Sequence, residues 1–321
     1  MSAARVLITR RVPPPAVELL QQAGLTIDLV DQDDPPPRAE LLRRVPGAAG
    51  LITMLSERID AAVLDAAGPS LKVVANFAVG FDNIDLEACR QRGVRVTNTP
   101  GVLTDATADL AWALILSTAR RVVEGDRLVR SRRWSGWAPM QLLGLQLTGA
   151  TLGVVGAGRI GTAVALRSQG FGMRVLYADS QVNRELENKL AAQRVELHQL
   201  LAAADVVSLH VPLTPQSRHM IGAAELRLMK PTAILINTAR GPVVDEAALV
   251  EALRERRIAG AGLDVYEHEP RLTPGLIDLP NVVLLPHLGS AATATRQKMS
   301  QMVAQNVIAV LRGEEPPNPV V

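Results

Sequence analysis

Short apolar runs alternate with longer Ala- and Leu-rich stretches along most of the chain, and this alternation constrains the fold more than any other feature. Residues 6–9, 51–54 and 152–155 are typical of the apolar runs. They lack the strict polar alternation of a strand with one face in water. Strands of this kind, separated by helices, indicate parallel sheets covered on both faces. The sequence therefore predicts an α/β protein with doubly wound sheets.

The apolar runs fall into two series. The first series lies before residue 98 and the second begins at Leu152, while a helix predicted from Thr104 to about Arg130 joins them. A last helix is predicted over 291–312. Because 321 residues exceed what one hydrophobic core usually holds, the sequence predicts two α/β domains.

Composition excludes several classes of protein. The 34 basic and 32 acidic residues nearly cancel without forming long blocks of one sign, so an extended nucleic-acid surface is not expected. The single cysteine, Cys89, excludes an internal disulfide framework and a cysteine-built zinc site. No apolar run reaches the length of a membrane span, and the first residues lack a signal-peptide pattern. We expect a cytoplasmic protein that binds neither metal, membrane nor nucleic acid.

A glycine-rich sequence, GAGRIG at 156–161, directly follows the strand predicted at 152–155 and opens a helix. Glycines in this pattern permit a tight turn and close backbone approach to a pyrophosphate, to which the helix N-terminus offers amide donors. Asp179 stands at the end of the next predicted strand, where a carboxylate binds ribose hydroxyls and repels a 2′-phosphate. The pattern predicts a dinucleotide site that favours NAD over NADP. The alternative is a structural turn beside a solvated aspartate.

Arg240, Glu269 and His287 each follow a predicted strand of the second series. Since ligands of open parallel sheets bind beyond the carboxyl ends of the strands, the three side chains can converge on one cofactor. A guanidinium matches a carboxylate, so Arg240 is a candidate to hold and polarise a 2-oxo acid. His287 would give a proton to the developing alkoxide, and Glu269 would fix the imidazole tautomer and stabilise its protonated form.

The same residues have alternative interpretations when each is taken alone. Arg240 could form surface ion pairs, and His287 could be a buried core histidine. The joint occurrence of the three residues after successive strands favours the catalytic interpretation. The remaining histidines receive no role: His198, His210, His219 and His268.

Together these motifs resemble the D-isomer-specific 2-hydroxyacid dehydrogenase family over nearly the whole chain. The matching segments are 79–85, 97–100, 103–110, 156–161, 237–241, 264–270 and 286–290. Within that family the sequence is most similar to the glyoxylate/hydroxypyruvate reductases, at residues 55–56, 134–137 and 287–291.

The resemblance implies a Rossmann cofactor domain inserted into a flavodoxin-like substrate domain. The substrate domain would comprise residues 1–98 and 288–321, and the NAD-binding domain residues 99–287. It also implies a homodimer joined through the cofactor domain. The helix containing Trp112 and the segment 134–145 would lie at the interface, with Trp137 placed to reach the partner's site. Ordinary core packing is the alternative for these tryptophans.

The resemblance also assigns site residues. Catalysis would rest on Arg240, Glu269 and His287. The implied cofactor contacts are Thr107, Gly156, Gly158, Arg159, Ile160, Gly161, Asp179, Pro212, Thr238, Asp264 and Gly289. The implied substrate contacts are the backbone amides of Val79 and Gly80, the side chain of Arg240, and Ser290.

The resulting hypothesis is an NAD(P)H-dependent reductase that converts glyoxylate or hydroxypyruvate to the D-2-hydroxy acid. Many glyoxylate reductases that use NADP carry an arginine loop after the second cofactor strand. The sequence Asp179-Ser180-Gln181 departs from that pattern, so NAD is expected.

Three alternatives stay open. A phosphoglycerate dehydrogenase often has an added regulatory domain, for which this sequence leaves no room. A phosphite dehydrogenase has a lysine where Val79 stands. A dinucleotide-sensing binding protein on the same fold would bind the cofactor without turnover.

Overall fold

The computed structural model describes residues 4–321, and the chain divides into two compact units. The first unit runs to Leu103 and resumes at Ser290, whereas the second spans Thr104–Gly289. The borders that the family resemblance implies are 98/99 and 287/288. The second border lies beyond Gly289 because the Gly289 amide donates to Asp264, a residue of the second unit, over 2.8 Å.

The first unit holds a five-stranded parallel sheet. Its strands are β1 (Arg5–Ile8), β2 (Thr26–Leu29), β3 (Gly50–Thr53), β4 (Val73–Asn76) and β5 (Arg95–Thr97). Their spatial order is β2-β1-β3-β4-β5, which is the flavodoxin-like order. Its first helices are α1 (Pro15–Gln22), α2 (Arg38–Arg44), α3 (Ala61–Ala67) and α4 (Leu86–Gln91). Apolar clusters on both faces of the sheet account for the continuous burial of β3 and β4.

The second unit holds a seven-stranded parallel sheet. Its strands are β6 (Thr151–Val155), β7 (Arg174–Ala178), β8 (Gln193–Arg194), β9 (Val206–Leu209), β10 (Ile234–Asn237), β11 (Gly260–Leu263) and β12 (Val282–Leu284). Their order is β12-β11-β10-β9-β6-β7-β8. The order reverses between β6 and β9, and the crevice at such a reversal is where open α/β sheets bind ligands. The predicted α/β class with two parallel sheets is confirmed.

Helices cover this second sheet on both faces. They are α5 (Thr104–Ala119), α6 (Val122–Arg130), α7 (Arg159–Arg167), α8 (Arg184–Leu190), α9 (Leu197–Ala203), α10 (Ala223–Leu228) and α11 (Glu246–Arg254). Among residues 4–321, none of the twelve helices combines the length and the apolar character needed to cross a bilayer.

The last helix, α12 (Thr293–Leu311), belongs to the first unit and packs against α1. Two hydrogen bonds join α12 to the start of α1: the Ala16 amide donates to Ser300 Oγ in a buried bond, and Ser300 Oγ donates to the carbonyl of Pro13, just before α1. The tail that follows pairs with β5, because the Val320 amide donates to the Val96 carbonyl over 2.7 Å. The return of the chain to its first unit was implied by the family resemblance and not by the helical pattern.

The prediction of a single helix from Thr104 to about Arg130 is wrong. The structure ends α5 at Ala119 and begins α6 at Val122, because Arg121 between them has a left-handed φ of 53°. The carbonyl of Ala119 accepts from the amide of Leu145 instead of continuing the helix. The apolar pattern does not reveal that the helix ends at Ala119, because the residues on both sides of the break keep helical spacing.

The three tryptophans lie in different environments. Trp112 is 6% exposed, donates from its indole nitrogen to the Val164 carbonyl, and stacks on Phe171 with ring centroids 4.8 Å apart. Core packing therefore describes Trp112. It does not describe Trp134 and Trp137, which are 53% and 83% exposed.

Candidate active site

A histidine–glutamate pair lies beyond the carboxyl ends of β11 and β12. The ring nitrogen Nδ1 of His287 donates to Glu269 Oε2 over 2.9 Å, and Glu269 Oε1 accepts from the Tyr266 amide over 3.0 Å. The two side chains keep 31% and 36% of their surface exposed. With Nδ1 engaged by the carboxylate, Nε2 is the ring nitrogen that can exchange a proton with a bound molecule.

The electrostatics of Glu269 connect this pair to Arg240. Burial alone would raise the pKa of Glu269, but the hydrogen bond and charge of His287, the Tyr266 amide and the charge of Arg240 together lower it. The carboxylate is therefore ionised at neutral pH and stabilises a protonated imidazole beside it.

The loop after β10 holds Arg240. The side chain of Asn237 accepts from the Ala239 amide and donates to the Arg240 carbonyl, while the Arg240 guanidinium donates to the Ala239 carbonyl. A side chain on Gly241 would collide with the carbonyl of Tyr266, so glycine is required there. This close approach brings the Arg240 loop against the loop of Glu269.

Asp264, at the end of β11, holds the loop of His287. The Leu288 amide donates to its Oδ1 over 2.6 Å, the Gly289 amide donates to its Oδ2, and the His287 amide donates to its carbonyl. His287 itself has a left-handed φ of 55°, which costs energy for a residue with a side chain. Burial raises the pKa of Asp264, although the Leu288 and Gly289 amides and the charge of His287 act in the opposite direction. A cofactor contact of Asp264 stays a prediction.

The glycine-rich turn has the geometry that a dinucleotide needs. Gly156 has φ of 89°, and a Cβ on it would lie 2.8 Å from the backbone of His210. A Cβ on Gly161 would collide with the Gly156 carbonyl, whereas a Cβ on Gly158 would meet no protein atom within 4 Å. Helix α7 then begins at Arg159 and Ile160 without a side-chain cap, which leaves its first amides for an anion.

Asp179 follows β7 and is tied to this turn. Its Oδ2 accepts from the Ala157 amide over 2.7 Å, and its Oδ1 accepts from the Gln181 amide over 2.9 Å. Arg194 of β8 lies beside it, donating to the Asp179 and Ser180 carbonyls. Sequence reasoning missed this guanidinium because the two-residue strand β8 is exposed and has no apolar pattern.

The other predicted cofactor residues lie in the same unit. Thr107 donates to the Gly289 carbonyl over 3.0 Å, and the Pro212 carbonyl accepts from the hydroxyl of Ser217. The hydroxyl oxygen of Thr238 is buried and has no hydrogen-bond partner among the described residues. An orphaned buried hydroxyl beside the sheet ends fits the presence of a bound polar group.

The predicted substrate residues Val79, Gly80 and Ser290 belong to the first unit. Asn98 donates to the Val79 carbonyl over 2.8 Å, and Asn76 donates to the Gly80 carbonyl over 2.7 Å. The first contact fixes the peptide plane that carries the Gly80 amide, one of the two amides that the family resemblance assigns to a substrate carboxylate. The assignment stays a prediction.

Tyr266 is a site residue that sequence reasoning missed. Its backbone amide holds Glu269, and its hydroxyl donates to the Leu285 carbonyl over 2.8 Å, two residues before His287. Burial raises the pKa of Tyr266, so the phenol remains a hydrogen-bond donor. The sequence offered one signal for this role: Tyr266 shares a short loop with two glutamates.

A family model and several known proteins match this chain. The family model described as "D-isomer specific 2-hydroxyacid dehydrogenase, NAD binding domain" matches residues 112–289. A glyoxylate reductase of Thermococcus litoralis is 50% identical over 318 residues, covering 98% of this chain and 96% of that protein.

Two solved structures extend the comparison. A protein of Thermus thermophilus is 52% identical with a TM-score of 0.93, covering 99% of this chain and 100% of that one. An NADPH-dependent glyoxylate/hydroxypyruvate reductase of Sinorhizobium meliloti, in complex with NADP and malonate, is 35% identical with a TM-score of 0.87. It covers 100% of this chain and 97% of that one.

Proposed function

The chain belongs to the D-isomer-specific 2-hydroxyacid dehydrogenase family, and we propose that it reduces glyoxylate or hydroxypyruvate to the D-2-hydroxy acid with a reduced nicotinamide dinucleotide. The observation that carries the proposal is the His287–Glu269 hydrogen bond of 2.9 Å, with the charge of Arg240 acting on the same carboxylate. A proton donor and a carboxylate-binding cation are the two groups that reduction of a 2-oxo acid requires from the protein.

Each of the three residues has one task in this proposal. Arg240 binds the substrate carboxylate and polarises the neighbouring carbonyl. Protonated His287 gives its Nε2 proton to the oxygen as negative charge develops there. Glu269 keeps the imidazole in the required tautomer and stabilises its charge. The bound nicotinamide would supply the hydride to C2. Val79, Gly80 and Ser290 stay predicted substrate contacts.

The substrate class is supported by the named relatives. Thermococcus litoralis and Korarchaeum cryptofilum each have a glyoxylate reductase about half identical to this chain over nearly its whole length.

We also propose NAD as the preferred cofactor. Two backbone amides hold the Asp179 carboxylate at the glycine-rich turn, where its charge would repel a 2′-phosphate. Arg194 lies nearby, but its guanidinium is directed at two backbone carbonyls. These contacts support NAD over NADP.

We also propose that the protein is a homodimer in the cytoplasm. Seven large apolar side chains are exposed between residues 116 and 143: Leu116, Val122, Val129, Trp134, Trp137, Met140 and Leu143. An apolar surface of this kind favours a protein interface. Light scattering should give twice the chain mass for the wild type and a concentration-dependent fall toward one chain for Trp137→Ser. A monomeric wild type would contradict the dimer.

Steady-state kinetics test the proposed reaction. Glyoxylate, hydroxypyruvate, pyruvate and phosphohydroxypyruvate are assayed with NADH and NADPH in parallel. We expect the highest kcat/KM for glyoxylate or hydroxypyruvate with NADH. Preference for phosphohydroxypyruvate would favour a phosphoglycerate dehydrogenase. Tight NADH binding without turnover of any 2-oxo acid would favour a dinucleotide sensor.

A further inference from the structure

A second histidine–glutamate pair lies two residues from the first. His219, in the connection between β9 and α10, donates from Nε2 to Glu267 Oε1 over 2.6 Å. The guanidinium of Arg218 lies 3.9 Å from the same oxygen. Glu267 is 11% exposed and His219 is 40% exposed, so the carboxylate is largely enclosed while the ring reaches solvent.

Glu267 also exchanges hydrogen bonds with Glu246, the first residue of α11. The Glu267 amide donates to Glu246 Oε2 over 2.7 Å, and the Glu246 amide is 3.4 Å from Glu267 Oε2. The other oxygen of Glu246 accepts from the Thr273 amide over 2.9 Å. Glu246 is only 3% exposed, and its charge is compensated by these amides and by the helix N-terminus.

The backbone of His219 is fixed against the Arg240 loop. Its amide donates to the Pro242 carbonyl over 2.8 Å, and its φ of 51° is left-handed. Such a conformation in a residue with a side chain persists only where surrounding contacts enforce it. Three loops therefore meet at Glu267: the one after β9, the one after β10 and the one after β11.

This junction connects directly to the catalytic carboxylate. Glu267 shares a peptide bond with Tyr266, whose amide donates to Glu269 Oε1. Glu269 in turn holds His287. The described contacts of His219 and Glu246 do not include Glu269, so they can act on it only through the loop.

We propose that Glu267, held by His219 and Glu246, is a positioning residue that aligns Glu269 with His287 for proton transfer. This inference rests on the proposed function. Glu267→Gln removes the charge and leaves one acceptor oxygen where two are used, so the Tyr266 amide shifts and the Glu269–His287 contact loosens. Misplacement of about 1 Å can slow an enzyme by about 100-fold.

The test compares Glu267→Gln, His219→Gln and their double variant with a matched control, Glu251→Gln. Glu251 lies on α11, as Glu246 does, but it is exposed and its ion pair is with Arg254. For each protein kcat and KM for glyoxylate are measured per NADH-binding site, together with the Kd for NADH. We expect Glu267→Gln to lower kcat about 10- to 100-fold, with the Kd for NADH within about twofold.

The two single variants should not be additive. The double variant should resemble Glu267→Gln, because His219 acts through that carboxylate. A purely structural role would lower Tm and the number of NADH sites but leave kcat per site unchanged. That result, or additivity of the two changes, would overturn the inference.

A second readout does not depend on turnover. The imidazole NMR signals of His287 should shift in Glu267→Gln and stay unchanged in Glu251→Gln. If the wild type reduces no 2-oxo acid, the proposed function fails. The positioning role is then tested by these NMR signals alone. Unchanged His287 signals in Glu267→Gln would overturn that role even when the wild type is active.

Discussion

Two histidine–glutamate pairs share the loop after β11, and they are built differently. Glu269 keeps 36% of its side chain exposed and binds His287, whereas Glu267 is 11% exposed and binds His219. Both histidines have a left-handed φ, of 55° and 51°. The two pairs differ in what contacts the carboxylate oxygen that does not bind histidine. In Glu269 this oxygen accepts from the Tyr266 amide of the same loop, whereas in Glu267 it lies near the Glu246 amide of α11.

This comparison indicates that the surroundings of the carboxylate separate the two pairs, since the ring of His219 is no less exposed than that of His287. An ion pair at the open end of a sheet leaves a ring nitrogen for a reactant, so it can transfer a proton. A pair whose carboxylate is enclosed where three loops meet is suited to holding those loops. The predictions below separate these two roles.

The largest expected effect follows from removing the proton donor or the substrate cation. His287→Ala and Arg240→Ala should each lower kcat/KM for glyoxylate by about 10² to 10⁴, because general acid catalysis and charge-assisted binding contribute on that scale. Both variants should stay folded and keep the wild-type NADH affinity, and His287→Ala should lose no more than the few degrees of Tm that its pair with Glu269 contributes; calorimetry and fluorescence titration measure these quantities. Near-wild-type activity in either variant would remove that residue from the mechanism.

A smaller effect is expected from a change at the glycine-rich turn, which leaves both histidine–glutamate pairs intact. Asp179→Ala should move the ratio of kcat/KM for NADH to that for NADPH toward NADPH by about tenfold, the effect of losing one repulsion of modest strength. Ser180→Ala is the matched control, since its hydroxyl lies in the same turn. An unchanged coenzyme ratio in Asp179→Ala would contradict the ribose assignment.

The smallest effect concerns the stability that the catalytic pair contributes. The pKa of Glu269 is lowered in the folded protein from an ordinary value of 4.5, so the folded state binds this proton less readily than the unfolded state. The pair therefore stabilises the fold above pH 4.5, and this contribution is lost as the pH falls through the lowered pKa.

Glu269→Gln measures that contribution. Its Tm should lie about 2–4 °C below that of the wild type near pH 6, and the difference should shrink as the pH falls through the lowered pKa of Glu269. A Tm difference that persists unchanged until the wild type itself unfolds in acid would show that the carboxylate charge is not the source.

The sequence predicted the parts of the molecule that depend on local pattern. Apolar runs such as 152–155 predicted buried parallel strands, and the glycine spacing predicted a turn that the left-handed φ of Gly156 confirms. Arg240 and Glu269 were expected together because each follows a strand of one sheet, and the charge of Arg240 does act on Glu269.

What the sequence did not reveal depends on contacts between distant segments. The break between α5 and α6 arises because Leu145 takes the carbonyl of Ala119. The surroundings of the histidines that received no role also depend on contacts between distant segments. His219 meets Glu267, which is 48 residues away in sequence. Burial lowers the pKa of His210 to about 3, so that ring stays neutral at neutral pH.

Stopped-flow mixing of the preformed enzyme–NADH complex with glyoxylate tests the central claim most directly. The wild type should lose NADH absorbance in one rapid phase, and Glu269→Gln should lose it at least about 10²-fold more slowly. An NADH-saturated wild type that keeps its absorbance with glyoxylate and with hydroxypyruvate, or a Glu269→Gln variant that reacts as fast as the wild type, would contradict the account.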